Sequence, residues 1–94
     1  MREMERRVFK RRLTEVCKEN KLQLMIEPRA GSHESWQIHC PETEQTVCFT
    51  LTSHRVITKG VQREVVKSAA WFGTKIALGE IVREILERIF ENWP

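Results

Sequence analysis

Two neighbouring segments alternate between apolar and polar side chains, and no other feature of the chain restricts its fold as strongly. The segments are residues 34–40 and 46–52, and a polar, turn-like stretch over residues 41–45 separates them. Because successive side chains of a strand point to opposite faces, this alternation predicts a β-hairpin with one apolar and one polar face. Five large side chains make up the predicted apolar face: Trp36, Ile38, Val47, Phe49 and Leu51.

The residues before this hairpin predict a helix and a further strand. Apolar side chains recur at helical spacing over residues 4–20, and Asn20 provides a stop signal. An apolar run over residues 22–27 ends at Pro28, which indicates a strand followed by a loop over residues 28–32.

Two more helices are predicted after the hairpin. The first covers about residues 60–71 and ends at Gly73, and the second covers residues 75–92. The second has a continuous apolar stripe along one face. The residues of this stripe are Leu78, Ile81, Val82, Ile85, Leu86, Ile89 and Trp93.

The predicted order of elements is helix, three strands, helix and an additional C-terminal helix. Helices packed on one face of a small antiparallel sheet make an α+β domain. A chain of 94 residues has room for one such domain and little else, so we predict a single domain over residues 1–94.

Positive charge is concentrated at the start of the chain. Residues 1–21 hold eight Lys or Arg and four Glu, a net charge of +4, whereas the whole chain carries +3. Such a segment attracts a polyanion, although an ordinary solvated helix face has the same composition.

Several classes of protein are excluded by composition. The sequence has no run of about 18 apolar residues, and charged residues interrupt its N-terminus, so we expect a cytoplasmic protein without a membrane segment. The odd number of cysteines argues against a disulfide framework, and their spacing with the histidines matches no zinc template. We therefore expect small buried thiols at Cys17, Cys40 and Cys48, with no metal ion or other cofactor.

The stretch from Gly31 to Trp36 places His33 between a glycine turn and the start of the hairpin. Glycine permits a positive φ or a close backbone approach, for example to a phosphate. A histidine titrates near neutral pH, so an exposed one at the end of a sheet is a candidate for proton transfer. Strand parity places His33 and His39 on the polar face. A loop histidine that only caps the turn is the alternative for His33, and surface histidines without a role are the alternative for His39 and His54.

These features together resemble the HicA-type toxins, the small mRNA interferases of bacterial and archaeal toxin–antitoxin pairs. The order of elements is similar to the double-stranded-RNA-binding-like fold of that family. The Gly31-Ser32-His33 stretch resembles the family's Gly-Ser-His stretch at its second strand, and residues 47–54 resemble its third strand and the following His-containing loop. The resemblance covers a core of about residues 5–72, and residues 74–94 form a helical extension beyond it.

The resemblance implies metal-independent endoribonuclease activity on mRNA. His33 would be the general base for the ribose 2′-hydroxyl or the general acid for the leaving 5′-oxygen, and His54 a second proton-transfer group. A HicB-type antitoxin protein would cover His33 and the basic surface around it. RNA would be bound by arginines of the first helix and by Gly31, Ser32, Arg55, Lys59, Arg63 and Lys67.

Other functions stay open at the level of the sequence. The same fold serves as a non-catalytic RNA-binding or protein-interaction module. The C-terminal helix is expected to pack over the core, to form a homodimer or to bind the antitoxin. Trp36 is predicted to lie in the core, whereas Trp71 lies off the apolar stripe of its helix and is expected to pack against the last helix or a partner.

Overall fold

A computed structural model describes residues 2–91, so the predicted role of Trp93 and the predicted helix position 92 lie outside the described residues. The elements follow the predicted order, with two short strands added. They are β1 (Met4–Glu5), α1 (Arg6–Glu19), β2 (Gln23–Pro28), β3 (His33–Cys40), β4 (Gln45–Thr52), β5 (Val56–Ile57), α2 (Lys59–Gly73) and α3 (Ala77–Glu91).

The three long strands form one antiparallel sheet in the order β2-β3-β4. Trp36 lies opposite Phe49, and Ile38 lies opposite Val47, as the alternating pattern predicts. These side chains are buried, whereas Thr46, Cys48 and Thr50 on the other side of β4 are exposed. The prediction of a buried thiol is therefore wrong for Cys48, because its position in β4 turns it away from the core. The predicted α+β fold with a three-stranded antiparallel sheet, flanking helices and an extra C-terminal helix is therefore confirmed. We call the side with the exposed residues the outer face of the sheet.

Aromatic rings hold the helices against the inner face. The ring of Phe9 in α1 lies 5.3 Å from that of Trp36 and stacks at 5.0 Å on that of Phe90 in α3, between centroids. All three side chains are fully buried. Of the three roles predicted for the C-terminal helix, packing over the core is thus confirmed.

The buried arc of α3 is rotated relative to the predicted stripe. Ile81, which belongs to the stripe, is 48% exposed, whereas Phe90 and Gly79 are buried. The close approach of α2 explains the rotation. A Cβ atom at Gly79 would lie 2.7 Å from the Cα of Gly73, so the two helix backbones meet where neither residue has a side chain.

The predicted start of the first helix at residue 4 is wrong. Met4 and Glu5 form β1 instead, which pairs antiparallel with Val56 and Ile57 of β5. The N–H of Arg6 donates to the carbonyl of Arg55 at 2.7 Å, which extends this pairing into the first turn of α1. The Met4 side chain is buried in this strand, and its partner strand β5 lies in the connection between β4 and α2.

Candidate active site

The tight turn between β2 and β3 positions His33 as the first residue of β3. Gly31 has a φ of +69°, a left-handed conformation that glycine adopts without strain. The N–H of Arg29 donates to the carbonyl of His33 at 2.8 Å, and the N–H of Ser53 donates to the carbonyl of Ser32 at 2.6 Å. The backbone around the imidazole is therefore fixed from β2 and from the end of β4, while the His33 side chain is exposed.

The end of β4 brings His54 and Arg55 to the same end of the sheet. His33 lies opposite Thr52, the last residue of β4, and His54 follows two residues later. Both histidines and Arg55 are exposed. The carboxylate of Glu5 lies near Arg55. A hydrogen bond from Arg7 lowers the pKa of Glu5 from its ordinary value, and the positive charge of Arg55 lowers this pKa further.

Glu34, the acidic residue next to His33, is engaged elsewhere. Its carboxylate accepts two hydrogen bonds from the Arg6 guanidinium, at 2.9 and 2.7 Å, and one from the Trp36 indole at 3.3 Å. Within residues 2–91, no side chain is hydrogen-bonded to His33 or His54. The Arg6 guanidinium is thereby paired within the fold.

His39, the other histidine of β3, has a different environment. Its Nδ1 lies 2.8 Å from the hydroxyl of Thr46, and its Nε2 lies 3.7 Å from a carboxylate oxygen of Glu44. These contacts place it at the far end of the sheet, away from His33, as a partly buried histidine with neighbours of its own.

The predicted basic residues of α2 lie along one helix face. Lys59, Arg63 and Lys67 are spaced by four residues and are all exposed. Lys59 begins α2 directly after β5, near the end of the sheet that carries His33, and the other two follow away from it. Lys67 is 3.8 Å from the carboxylate of Glu64, an exposed pair that is weak in water. The structure thus brings Gly31, Ser32, His33, His54 and Arg55 together at one end, whereas Arg63 and Lys67 lead away from it.

The structure also shows a groove between α2 and the outer face of the sheet that was not predicted from the sequence. Its volume is about 250 Å³. The one signal in the sequence was the position of Trp71 off the apolar stripe of α2. The lining residues are Ser35, Cys48, Phe49, Thr50, Ser68, Trp71 and Phe72.

Two features are absent from the part of the chain that the structure describes. No three His, Cys, Asp or Glu side chains within residues 2–91 are grouped as metal ligands. No helix in that part of the chain is long and apolar enough to cross a membrane. Comparisons with protein-family models, with curated proteins and with solved structures gave no match.

Proposed function

We propose that this protein is a metal-independent endoribonuclease of the HicA-toxin type, with His33 as its central proton-transfer group. One observation carries the proposal. A turn fixed by two backbone hydrogen bonds holds an exposed histidine at the end of the sheet where a second exposed histidine follows β4, and no carboxylate among the described residues pairs with it. A histidine with only a structural role would be expected to make a side-chain contact, as His39 does with Thr46.

The proposed reaction needs only proton transfer and charge stabilisation. A base removes the proton of a ribose 2′-hydroxyl, and the oxygen attacks the adjacent phosphorus. The bond from phosphorus to the 5′-oxygen of the next nucleotide breaks, that oxygen takes up a proton, and a 2′,3′-cyclic phosphate remains. His33 serves as the base or as the acid, and His54 is the candidate for the other role. Each proton transfer contributes roughly 10²–10⁴-fold to the rate.

Several groups at this end of the sheet are suited to hold the phosphate. The turn at Gly31 and Ser32 exposes backbone close to His33, and Arg55 and Lys59 supply nearby positive charge. Arg63 and Lys67 extend the positive charge along α2, where they would hold neighbouring phosphates of the same strand.

A neutralising partner completes the proposal. A HicB-type antitoxin would cover His33 and Arg55 and so exclude RNA from the site. Homodimer formation through α3 is a weaker candidate, because most of its apolar face between residues 77 and 91 is buried in its own chain and, in that range, Ile81 is the stripe residue left at the surface.

The test is incubation of the purified chain with mixed RNA in EDTA, beside the variants His33→Ala and His39→Ala. His39→Ala is the matched control, since it removes an imidazole from the same strand at the other end of the sheet. We expect the parent and His39→Ala to cleave the RNA and to leave cyclic phosphate ends on the products. We expect no cleavage by His33→Ala, although its circular dichroism spectrum should match that of the parent. Intact RNA in all samples would reject the enzyme and leave the non-catalytic binding module. Equal cleavage by all three would mean that another group or a contaminant is responsible.

A further inference from the structure

We propose that the groove between α2 and the outer face of the sheet is a nucleobase-binding site, in which one unpaired base of an RNA strand stacks on Trp71. This inference deepens the proposed function, because it places the bound strand beside His33. It nevertheless has its own evidence and its own test.

Trp71 is a large aromatic side chain held in place at the surface. It is 56% exposed, whereas Trp36 is fully buried. Phe72 contacts the indole edge-on, with ring centroids 5.0 Å apart at 87°, and the ammonium of Lys75 lies 5.2 Å from the ring centroid. An exposed indole with a fixed orientation and a neighbouring cation combines the two components with which proteins bind single-stranded nucleic acid.

The size and lining of the groove fit a flat polar group. Its volume of about 250 Å³ is below the roughly 300–1,000 Å³ typical of sites for drug-sized molecules. The floor carries the hydroxyls of Ser35 and Thr50 and the thiol of Cys48, and none of these three has a hydrogen-bond partner among the described residues. A nucleobase brings a face for stacking and an edge of donors and acceptors for such groups.

The position of the groove suits a nucleotide next to the cleaved bond. Ser35 lies two residues from His33 on the same face of β3, a distance of about 7 Å at the rise of a strand. That distance is comparable to the separation of neighbouring nucleotides in an extended strand. A strand whose phosphate lies at His33 therefore has an adjacent base within reach of Trp71.

Charge favours RNA over an apolar peptide as the occupant. No carboxylate lines the groove among the residues described, and Lys75 lies on the indole at its margin. On the same helix, Arg63 and Lys67 continue the positive charge toward the end of the sheet with His33. An apolar peptide would leave the hydroxyls of Ser35 and Thr50 unpaired.

The test uses a short 2′-O-methyl oligonucleotide, which keeps its bases but cannot be cleaved through the 2′-oxygen. Binding is measured by fluorescence anisotropy at one fixed salt concentration for the parent, Trp71→Ala, Trp71→Phe and Met25→Ala. Met25 is the matched control, since it is 50% exposed and apolar but belongs to β2, away from the groove. We expect Trp71→Ala to weaken binding about fivefold or more, Trp71→Phe to retain most of it and Met25→Ala to change little.

Oligonucleotides that lack one base at successive positions identify the stacked base. The parent should lose affinity at one position in particular, and Trp71→Ala should be insensitive to that same omission. If Trp71→Ala binds as well as Met25→Ala, the proposal is wrong, even where RNA cleavage depends on His33. If the Trp71-dependent loss occurs but the parent cleaves no RNA, the base site stands and the endoribonuclease proposal fails. Failure of the parent to bind the oligonucleotide would overturn the base site.

Discussion

Arg6 and Glu34 form a two-pronged ion pair that joins the first turn of α1 to the second residue of β3. Two guanidinium nitrogens donate to the two carboxylate oxygens at 2.9 and 2.7 Å, and the side chains retain only 23% and 16% of their exposure. The Arg6 guanidinium also lies 5.5 Å from the centroid of the Trp36 ring. This pair fixes the first turn of α1 against β3, next to His33.

We expect Glu34→Ala to destabilise the fold by about 1–3 kcal/mol, because it leaves the partly buried Arg6 guanidinium without its partner. The measurement is urea unfolding followed by circular dichroism. Arg7→Ala provides the control, since it breaks the more exposed pair with Glu5 and should destabilise the fold less than Glu34→Ala does. Equal costs for the two variants would contradict the structural role of the Arg6 pair.

The proton-transfer role that we propose for His33 can be tested with a modified substrate. His33→Ala should slow cleavage of ordinary RNA by at least about 10²-fold. A substrate whose leaving 5′-oxygen is replaced by sulfur needs no protonation of the leaving group. If His33 is the general acid, the variant should cleave this substrate nearly as fast as the parent, whereas a general base would leave the defect in place. His54→Ala should show the complementary behaviour.

Replacement of Gly79 by alanine should destabilise the protein by about 1–3 kcal/mol or more, because the added Cβ would clash with backbone atoms of α2 that cannot move aside. In the structure this Cβ would lie 2.7 Å from the Cα of Gly73. Gly60→Ala is the control, because nothing lies within 4 Å of a Cβ at this helical position. That control should leave stability unchanged or raise it by about 0.4–1 kcal/mol. Thermal unfolding of both variants measures the difference, and a tolerated Gly79→Ala would mean that α2 and α3 are further apart.

The three thiols should differ in their reaction with iodoacetamide. Burial raises the pKa of Cys17 from 9.0 to about 11, whereas hydrogen bonds from Thr43 lower the pKa of Cys40. Because the thiolate is the reacting form, Cys40 should react before Cys17 as pH is raised, and Cys17 should react only after unfolding. The exposed Cys48 is open to the reagent in the folded protein. Mass spectrometry of the labelled peptides measures the order. Modification of Cys17 in the folded protein at neutral pH would contradict its burial.

The same shift at Cys17 has a defined effect on stability. The folded state disfavours the thiolate, so stability is retained below the unfolded pKa and is lost as pH rises from about 9 toward about 11. Cys17→Ser should remove this alkaline component, which unfolding curves at a series of pH values would measure.

The main sheet could be predicted from the sequence because its signal is local. Trp36, Phe49 and Leu51 alternate with polar residues, and that alternation itself decides which side is buried. β1 and β5 could not be predicted, because strands of two residues are too short to show a period and their pairing joins Met4 to Ile57 across the chain.

Some features of the candidate site could likewise be predicted from the sequence, and others could not. The turn at Gly31 and the exposure of His33 follow from neighbouring residues and could be predicted. The engagement of Arg6 by Glu34 could not, since 28 positions separate the two residues and no pattern relates them. Nor could the groove at Trp71, which forms only where the last turns of α2 pack beside β4.

The stacking of Phe9 on Phe90 determines when a newly made chain can fold. The first ring enters the core early in synthesis, but its partner is added 81 positions later, and the two rings lie 5.0 Å apart in the structure. Contacts between such distant positions form slowly and only once both partners are present. A growing chain therefore stays without its closed core until residue 90 has left the ribosome.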